Sequence, residues 1–286
     1  MQFNTLQAFT ARAAQSLPAK GPVALVLLED ASEVTTTLEH LSKQGFDTVI
    51  AFGRKDLLPE APNDTVHTVV QNMHAPGAME TVVNAAIGCF PNRWIFYCFN
   101  AEYLFFPFCE TRSIREMTVF SEEERRHSIL TFVIDLYSNR LNSHPDGVDP
   151  ESAYLDRSGY YALTRFRDGV ALDRQMDFFG GLRWRFEEHV PWAKRRIDRV
   201  GLFKAHKSLK LNPDHTFNDD EYNTYACPWH NNITATICSF RTAKALMLNP
   251  GSMHEIPHFW WNNSTKFDWH STQLMQLGLM EPGQWF

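Results

Sequence analysis

The chain has 286 residues, of which 44% are hydrophobic and 13% aromatic, so it is long and apolar enough to bury a sizeable core. Its 27 Lys and Arg residues are outnumbered by 33 Asp and Glu residues, which gives a formal net charge of -6. An acidic chain lacks the polybasic surface that neutralises nucleic acid or an anionic membrane. We therefore expect no nucleic acid among its main partners.

Cysteine usage and the amino-terminal sequence favour a cytoplasmic protein. The five cysteines are scattered and lack the close pairs of a zinc ribbon or a secreted disulfide framework. Residues 1–17 lack the charged start and apolar run of a secretory signal, and no run of about 18 apolar residues predicts a membrane span. The expected protein is cytoplasmic, with reduced thiols and no membrane-spanning segment.

The first hundred residues alternate between strand and helix patterns. The predicted elements are a helix at 1–16, strands at 23–28, 48–52, 66–70 and 94–99, and helices at 32–44 and 78–90. Ser32 is the predicted cap of the second helix. Because parallel strands need crossover helices, this alternation predicts an α/β fold with a doubly wound, mostly parallel sheet.

The pattern changes after residue 104. Ser113 and Glu116 match a capping box, which predicts a helix running to Arg126. A long strand at 128–137, a polar loop at 140–151, an irregular, aromatic and basic stretch at 156–211 and a helix at 235–248 complete the predicted elements. We expect one domain whose carboxyl-terminal half is irregular and rich in aromatic residues.

Charged and polar residues follow three of the predicted strands. Glu29 and Asp30 follow the strand at 23–28, Arg54 follows the strand at 48–52, and Asn100 and Glu102 follow the strand at 94–99. Open α/β sheets bind ligands at the carboxyl ends of their strands. Glu102 fits such a crevice and fits an ordinary turn equally well, so both interpretations stay open.

The order of these parts resembles the GT-A glycosyltransferases, particularly bacterial family 2-like enzymes. The sequence contains no GxGxxG after a strand, no P-loop, no GxSxG and no HExxH, which disfavours the chemistries of those motifs. The resemblance extends from Val23 through Arg54 to Asn100-Ala101-Glu102-Tyr103-Leu104, and weakly to 180–185 and 228–232. It implies a single GT-A-like domain, 1–286, with a nucleotide-binding half at 1–105 and an acceptor-binding half at 106–286.

In those enzymes an Asp-x-Asp motif holds a divalent metal on the diphosphate of a sugar nucleotide. Here Asn100 and Glu102 stand in that place, which implies that they contact the diphosphate or its metal. An Asn side chain offers one neutral carbonyl oxygen, so affinity for Mg²⁺ or Mn²⁺ is expected to fall. His230, after Pro228 and Trp229, resembles the late histidine that completes the metal site, although a lone histidine is more often structural.

The resemblance also implies roles for charged residues outside this motif. Glu29 and Asp30 would contact the base or ribose, unless they form an ordinary strand-end turn. Arg54 would pair with the nucleotide or phosphate, unless it is a solvated loop residue. Arg183 and Arg185 would stabilise the departing diphosphate, because guanidinium groups suit bidentate phosphate recognition.

A sugar transfer that inverts the anomeric centre needs a carboxylate base for the acceptor hydroxyl. Asp135 and Asp156 are the candidates, and burial of Asp135 would be costly without a partner. The implied function is transfer of a sugar from a nucleotide-diphosphate donor to a glycan or bacterial surface-polysaccharide acceptor. A non-catalytic GT-A-like binding protein, which Asn100 favours, and a metal-dependent hydrolase built around His230 are the alternatives.

Overall fold

A computed structural model describes residues 1–60, 64–227 and 230–285. Over these ranges the chain has a mixed α/β fold with a large, mostly parallel central sheet, which confirms the predicted α/β class. Pro228 and Trp229, which belong to the sequence around His230 that resembles a metal site, lie outside the described residues, as does Phe286.

The strands and helices follow the predicted order closely over the first hundred residues. The strands are β1 (Gln2–Phe3), β2 (Val23–Leu27), β3 (Thr48–Gly53), β4 (Val66–Val70), β5 (Trp94–Phe99), β6 (Glu102–Phe105), β7 (Ser128–Asp135), β8 (Tyr137–Ser138), β9 (Ala153–Asp156), β10 (Tyr161–Arg167), β11 (Val170–Phe179), β12 (Asp198–Lys204), β13 (Ala235–Ser239) and β14 (Ser264–Lys266). The helices are α1 (Leu6–Ser16), α2 (Val34–Lys43), α3 (Ala78–Cys89), α4 (Ile114–Glu123), α5 (Leu182–Arg185), α6 (Arg241–Leu248) and α7 (Ser271–Gln276).

The central sheet has the strand order β1-β4-β3-β2-β5-β12-β7-β13-β6. Strand β2 pairs in parallel with β3 and β5, β3 pairs in parallel with β4, and β12 runs antiparallel to β5. Every residue of β2, β3 and β5 is buried, as expected for apolar strands covered on both faces. On α1, Phe9 packs edge-to-face against Phe52 of β3, with 5.4 Å between ring centroids.

The chain forms two compact units, each built from segments that are separate in sequence. Unit 1 contains Met1–Tyr103, Thr111–Leu130 and Val200–Asn223. Unit 2 contains Leu104–Glu110, Thr131–Arg199 and Thr224–Phe286. The predicted division into a nucleotide-binding half at 1–105 and an acceptor-binding half at 106–286 stays a prediction.

The helix predicted at 1–16 begins only at Leu6, because Gln2–Phe3 form strand β1. Two further predicted helix features are wrong. The helix expected at 235–248 begins only at Arg241, because residues 235–239 form the buried strand β13, which pairs in parallel with β7. Its β-branched Thr236 and Ile237 suit a strand. Ser32 does not cap α2, since Glu33 occupies the cap position with a left-handed φ of 54° and no side-chain cap bond.

The stretch at 156–211 is more regular than predicted. It contains the hairpin β10–β11 and strand β12. Asp168 and Gly169 join the hairpin strands with positive φ angles of 52° and 80°, the geometry of a tight two-residue turn. By contrast, the capping box of Ser113 and Glu116 is confirmed, with both reciprocal bonds present at the start of α4.

Candidate functional site

The order of strands reverses within unit 1 between β2 and β5. From β2 the chain proceeds outward through β3 to β4, then returns to place β5 on the other side of β2. The two strands are parallel, and Leu27 at the end of β2 lies opposite Phe99 at the end of β5. Such a reversal is where open α/β sheets leave a crevice for a ligand, outside the carboxyl ends of the strands.

Asn100 links the two chain segments that leave this reversal point. Its Oδ1 atom accepts a hydrogen bond from the Glu29 amide at 2.9 Å. Its Nδ2 atom donates to Asp30 Oδ1 at 2.6 Å and to the Ser32 carbonyl at 2.9 Å. The side chain is fully buried, and these bonds fix the loop at 29–32. The amide group is needed here because a carboxylate has no N–H to donate.

Glu102 closes the turn that follows β5. Its carboxylate accepts a bond from the Phe99 amide at 2.8 Å, and the residue is fully buried. Ala101 adopts a left-handed φ of 59°, and its amide donates to Thr37 Oγ1 at 2.9 Å. These contacts fit the ordinary turn that was one of the two sequence-based interpretations of Glu102. Its role as a metal ligand stays a prediction.

The accessible polar groups near this edge are on the loops around Asn100. Glu29 and Asp30 are half-buried, and Arg54 is exposed and forms an ion pair with Asp56 at 2.7 Å. The Arg54 guanidinium lowers the pKa of the Asp56 carboxyl. His74, which no sequence motif indicated, reaches the Glu29 carbonyl with its Nε2 atom at 2.7 Å. Half-buried carboxylates beside a fixed loop suit hydroxyl and N–H donors of a small ligand.

Unit 2 brings together the candidate base Asp135 and Arg183. Asp135, at the end of β7, is 1% exposed, and its Oδ1 atom lies 3.5 Å from Arg183 Nε. Burial raises the pKa of the Asp135 carboxyl, and the Arg183 charge offsets part of that effect. Among the described residues, no donor has ordinary hydrogen-bond geometry to either Asp135 oxygen. Asp135 is thus a buried acid with an ion-pair partner but few bonds.

Asp156 has a more complete set of partners. Its Oδ1 atom accepts bonds from Tyr137 Oη, from Trp261 Nε1 at 2.7 Å and from Arg185 Nη1 at 3.1 Å. Arg185 also donates to the Phe259 carbonyl, and its guanidinium lies 4.7 Å from the Trp261 ring centroid. Burial raises the pKa of Asp156, with Arg185 acting in the opposite direction. These contacts tie the end of β9 to α5 and the residues around Trp261.

Arg183 and Arg185 are therefore both engaged within unit 2. Arg183 donates to the Arg196 carbonyl at 2.6 Å and to Thr242 Oγ1 at 3.1 Å, in addition to its ion pair with Asp135. Only 11% and 10% of the two arginine side chains are exposed. Their predicted diphosphate contacts stay predictions, and the observed partners are buried carboxylates and carbonyl oxygens.

A small polar cluster contains Cys227, His230 and Asn232. The Nδ1 atom of His230 lies 3.3 Å from Cys227 Sγ, and the Cys227 amide donates to Asn232 Oδ1 at 3.1 Å. Across the described residues, no three His, Cys, Asp or Glu side chains form a group suited to a metal ion. A metal-ligand role for His230, and the hydrolase that would depend on it, stay predictions without a supporting contact.

Comparison with known proteins assigns no family to this chain. No protein-family model matches the sequence, and no curated protein matches it significantly. Within the described part of the chain, no helix combines the length and apolar character needed to cross a bilayer.

Proposed function

We propose that this chain is a glycosyltransferase that binds a nucleotide-diphosphate sugar at the carboxyl ends of β2 and β5. The observation that carries the proposal is the reversal of strand order at these two parallel strands. Polar residues follow both strands at this point, and Asn100 holds the loop at 29–32 in one conformation. A preformed polar loop at such a reversal supports binding of a nucleotide.

The charges at this edge favour the nucleoside part of the donor. Carboxylates accept hydrogen bonds, so Glu29 and Asp30 suit ribose hydroxyls or the N–H groups of a base. Arg54 supplies the nearby cation for a phosphate, which requires that its exposed pair with Asp56 opens. The acceptor is a glycan or surface polysaccharide, as the resemblance implies.

For the chemical step, we assign the general base to Asp135 rather than Asp156. The base takes the proton of the acceptor hydroxyl as that oxygen bonds to the anomeric carbon and the nucleoside diphosphate departs. Asp156 already accepts three bonds through one oxygen. Asp135 has its ion pair with Arg183, and the Thr242 hydroxyl and the Arg183 amide are also close enough to lower its pKa. Because Asp135 is almost fully buried, this route requires movement of the residues that cover it.

Calorimetric titration with uridine, guanosine and thymidine diphosphates, with and without Mn²⁺, tests the donor site. We expect one nucleotide to bind, and Glu29→Gln and Asp30→Asn to weaken binding about tenfold or more, because each loses a charged acceptor. Glu39→Gln, an exposed carboxylate on α2, is the matched control and should bind normally. Absence of binding by all three nucleotides would contradict the proposal.

A non-catalytic binding protein with the same nucleotide site is the second candidate. The observation in its favour is that Asp135 and Asp156 are both 1% exposed and both paired with arginine. Donor hydrolysis and sugar transfer should be measured for the wild type and for Asp135→Asn. A transferase loses turnover in the variant while still binding nucleotide, whereas a binding protein shows no turnover in either.

A further inference from the structure

Over residues 1–60, 64–227 and 230–285, the hairpin β10–β11 has one edge that no other strand covers. In the described part of the chain these two strands form a sheet of their own. The outer edge of β11 receives bonds from other segments, since the Ile197 amide donates to Phe178 and the Tyr225 amide donates to Arg174. Among the residues that the structure describes, no strand pairs with the outer edge of β10. An isolated two-stranded ribbon is marginally stable, and an uncovered edge is a template for another strand.

Large apolar side chains are exposed on and near this hairpin. Of the eleven exposed large hydrophobic residues in the described part of the chain, six lie between positions 161 and 192: Tyr161, Leu163, Phe166, Val170, Trp184 and Trp192. Leu163, Phe166 and Val170 expose 48%, 62% and 66% of their surface. Such a concentration of exposed apolar surface marks an interaction site.

Ion pairs and stacked aromatic rings attach the hairpin to the rest of unit 2, so strand β10 has a defined position there. Arg165 forms ion pairs with Asp177 at 2.7 Å and with the buried Asp198 at 2.8 Å. The Tyr161 ring stacks on Phe179 with 5.3 Å between centroids, and Phe179 stacks on Trp192 at 5.1 Å. A fixed strand costs less conformational entropy on association than a mobile one.

We propose that β10 pairs with β10 of a second copy of this chain, antiparallel about a two-fold axis at Thr164. In this register Thr164 faces its own copy, Ala162 faces Phe166, Leu163 faces Arg165, and Tyr161 faces Arg167. No like charges are opposed, Thr–Thr and aromatic pairs are favourable across strands, and Arg167 meets an aromatic ring. The strand is self-complementary, which is what a two-fold interface requires.

A lipid surface is a poorer match for the same residues. Hydrocarbon would leave the backbone polar groups on the open edge of β10 unsatisfied, whereas a second strand bonds with them. The hairpin carries three arginines and three aspartates, so it has no net positive charge to attract an anionic membrane. The second copy satisfies the backbone edge and the apolar side chains together.

Sedimentation velocity of the full chain over a wide concentration range tests this dimer. We expect the wild type to dimerise, and Thr164→Lys and Thr164→Asp each to weaken the dimer about tenfold or more, because each places like charges opposite each other. An equimolar mixture of the two variants should restore a dimer through Lys–Asp pairs at the axis. Val119→Lys, at an exposed apolar residue of α4, is the control and should not change the dimer.

Three results would overturn the proposal. The first is a wild type that stays monomeric at every concentration. The second is a dimer that Thr164→Lys leaves intact or that the mixture of variants fails to restore. The third is a monomeric wild type that co-sediments with vesicles of phosphatidylcholine and phosphatidylglycerol, which would assign the exposed hairpin to a membrane.

Discussion

Acidic residues follow strands in both units, but their surroundings differ. In unit 1, Glu29 and Asp30 are half-buried on a loop that Asn100 fixes. In unit 2, Asp135 and Asp156 are 1% exposed and paired with arginines. A carboxylate that keeps contact with water can exchange it for a ligand, whereas a buried one needs a permanent partner. The contrast supports the proposed ligand site in unit 1, and it means that Asp135 can act as the proposed base only when the residues that cover it move.

The largest expected effect comes from breaking the buried pair of Arg185 and Asp156. Arg185→Met keeps much of the side-chain volume but leaves Asp156 buried without its cation. We expect the free energy of unfolding to fall by about 3–5 kcal/mol. Urea denaturation measures the change, and Arg54→Met, which removes one partner of an exposed pair, should leave stability unchanged. An equal loss of unfolding free energy in the two variants would contradict the difference between buried and exposed ion pairs.

Asn100→Asp separates the structural role of Asn100 from the metal role implied by the resemblance. The substitution removes the N–H donors to Asp30 and Ser32 and places two carboxylates together. We expect a loss of about 3 kcal/mol of stability at neutral pH and no gain in Mn²⁺ affinity. Denaturation and Mn²⁺ titration check this. Tighter Mn²⁺ binding at unchanged stability would instead support a metal site.

Gly181 tests how closely the backbone packs on Asp135. This residue has a φ of 64° and a ψ of −153°, and an added Cβ would lie 2.8 Å from Asp135 Oδ2. Gly181→Ala should therefore cost about 2 kcal/mol. Gly88→Ala in α3 is the matched control, because an added Cβ there meets nothing within 4 Å, and a gain of about 0.5 kcal/mol is expected. Urea denaturation of both variants gives the comparison.

The smallest expected effect is on the pH dependence of stability. The folded state raises the pKa of Asp135, so it binds the proton more tightly than the unfolded chain does. Stability from this group is therefore full below the unfolded pKa of about 3.8 and declines as pH rises through the folded pKa. Asp135→Asn should remove that decline. Denaturation curves across this range test it, and an unchanged pH dependence in the variant would contradict the raised pKa.

Sequence alone predicts the local elements better than the contacts of the site. The apolar run at 94–99 and the capping box at Ser113 specify β5 and the start of α4, because both signals act between near neighbours. The helix prediction fails at residues 235–239. Their apolar spacing fits a helix, but in the fold they pair in parallel with β7 as a strand. Asp168-Gly169 is a dipeptide typical of a two-residue hairpin turn, although the stretch around it has the composition of an irregular segment.

The partners of the candidate site residues depend on contacts between distant parts of the chain. Asn100 bonds with a loop about 70 positions earlier, and Arg185 meets Asp156 and Phe259 across large separations. No local sequence pattern specifies these long-range side-chain contacts. The sequence therefore identifies which charged residues follow strands, and the tertiary structure decides which of them face solvent and which are enclosed.

Hydrogen–deuterium exchange with and without the nucleotide that binds best tests the central claim most directly. If the donor lies at the carboxyl ends of β2 and β5, the amides of residues 28–32, together with those of 53–56 and 100–101, should exchange more slowly in its presence. Amides around Asp156 and Trp261 should show no comparable protection. Protection confined to those unit 2 segments, with none at 28–32, would contradict the proposed nucleotide site.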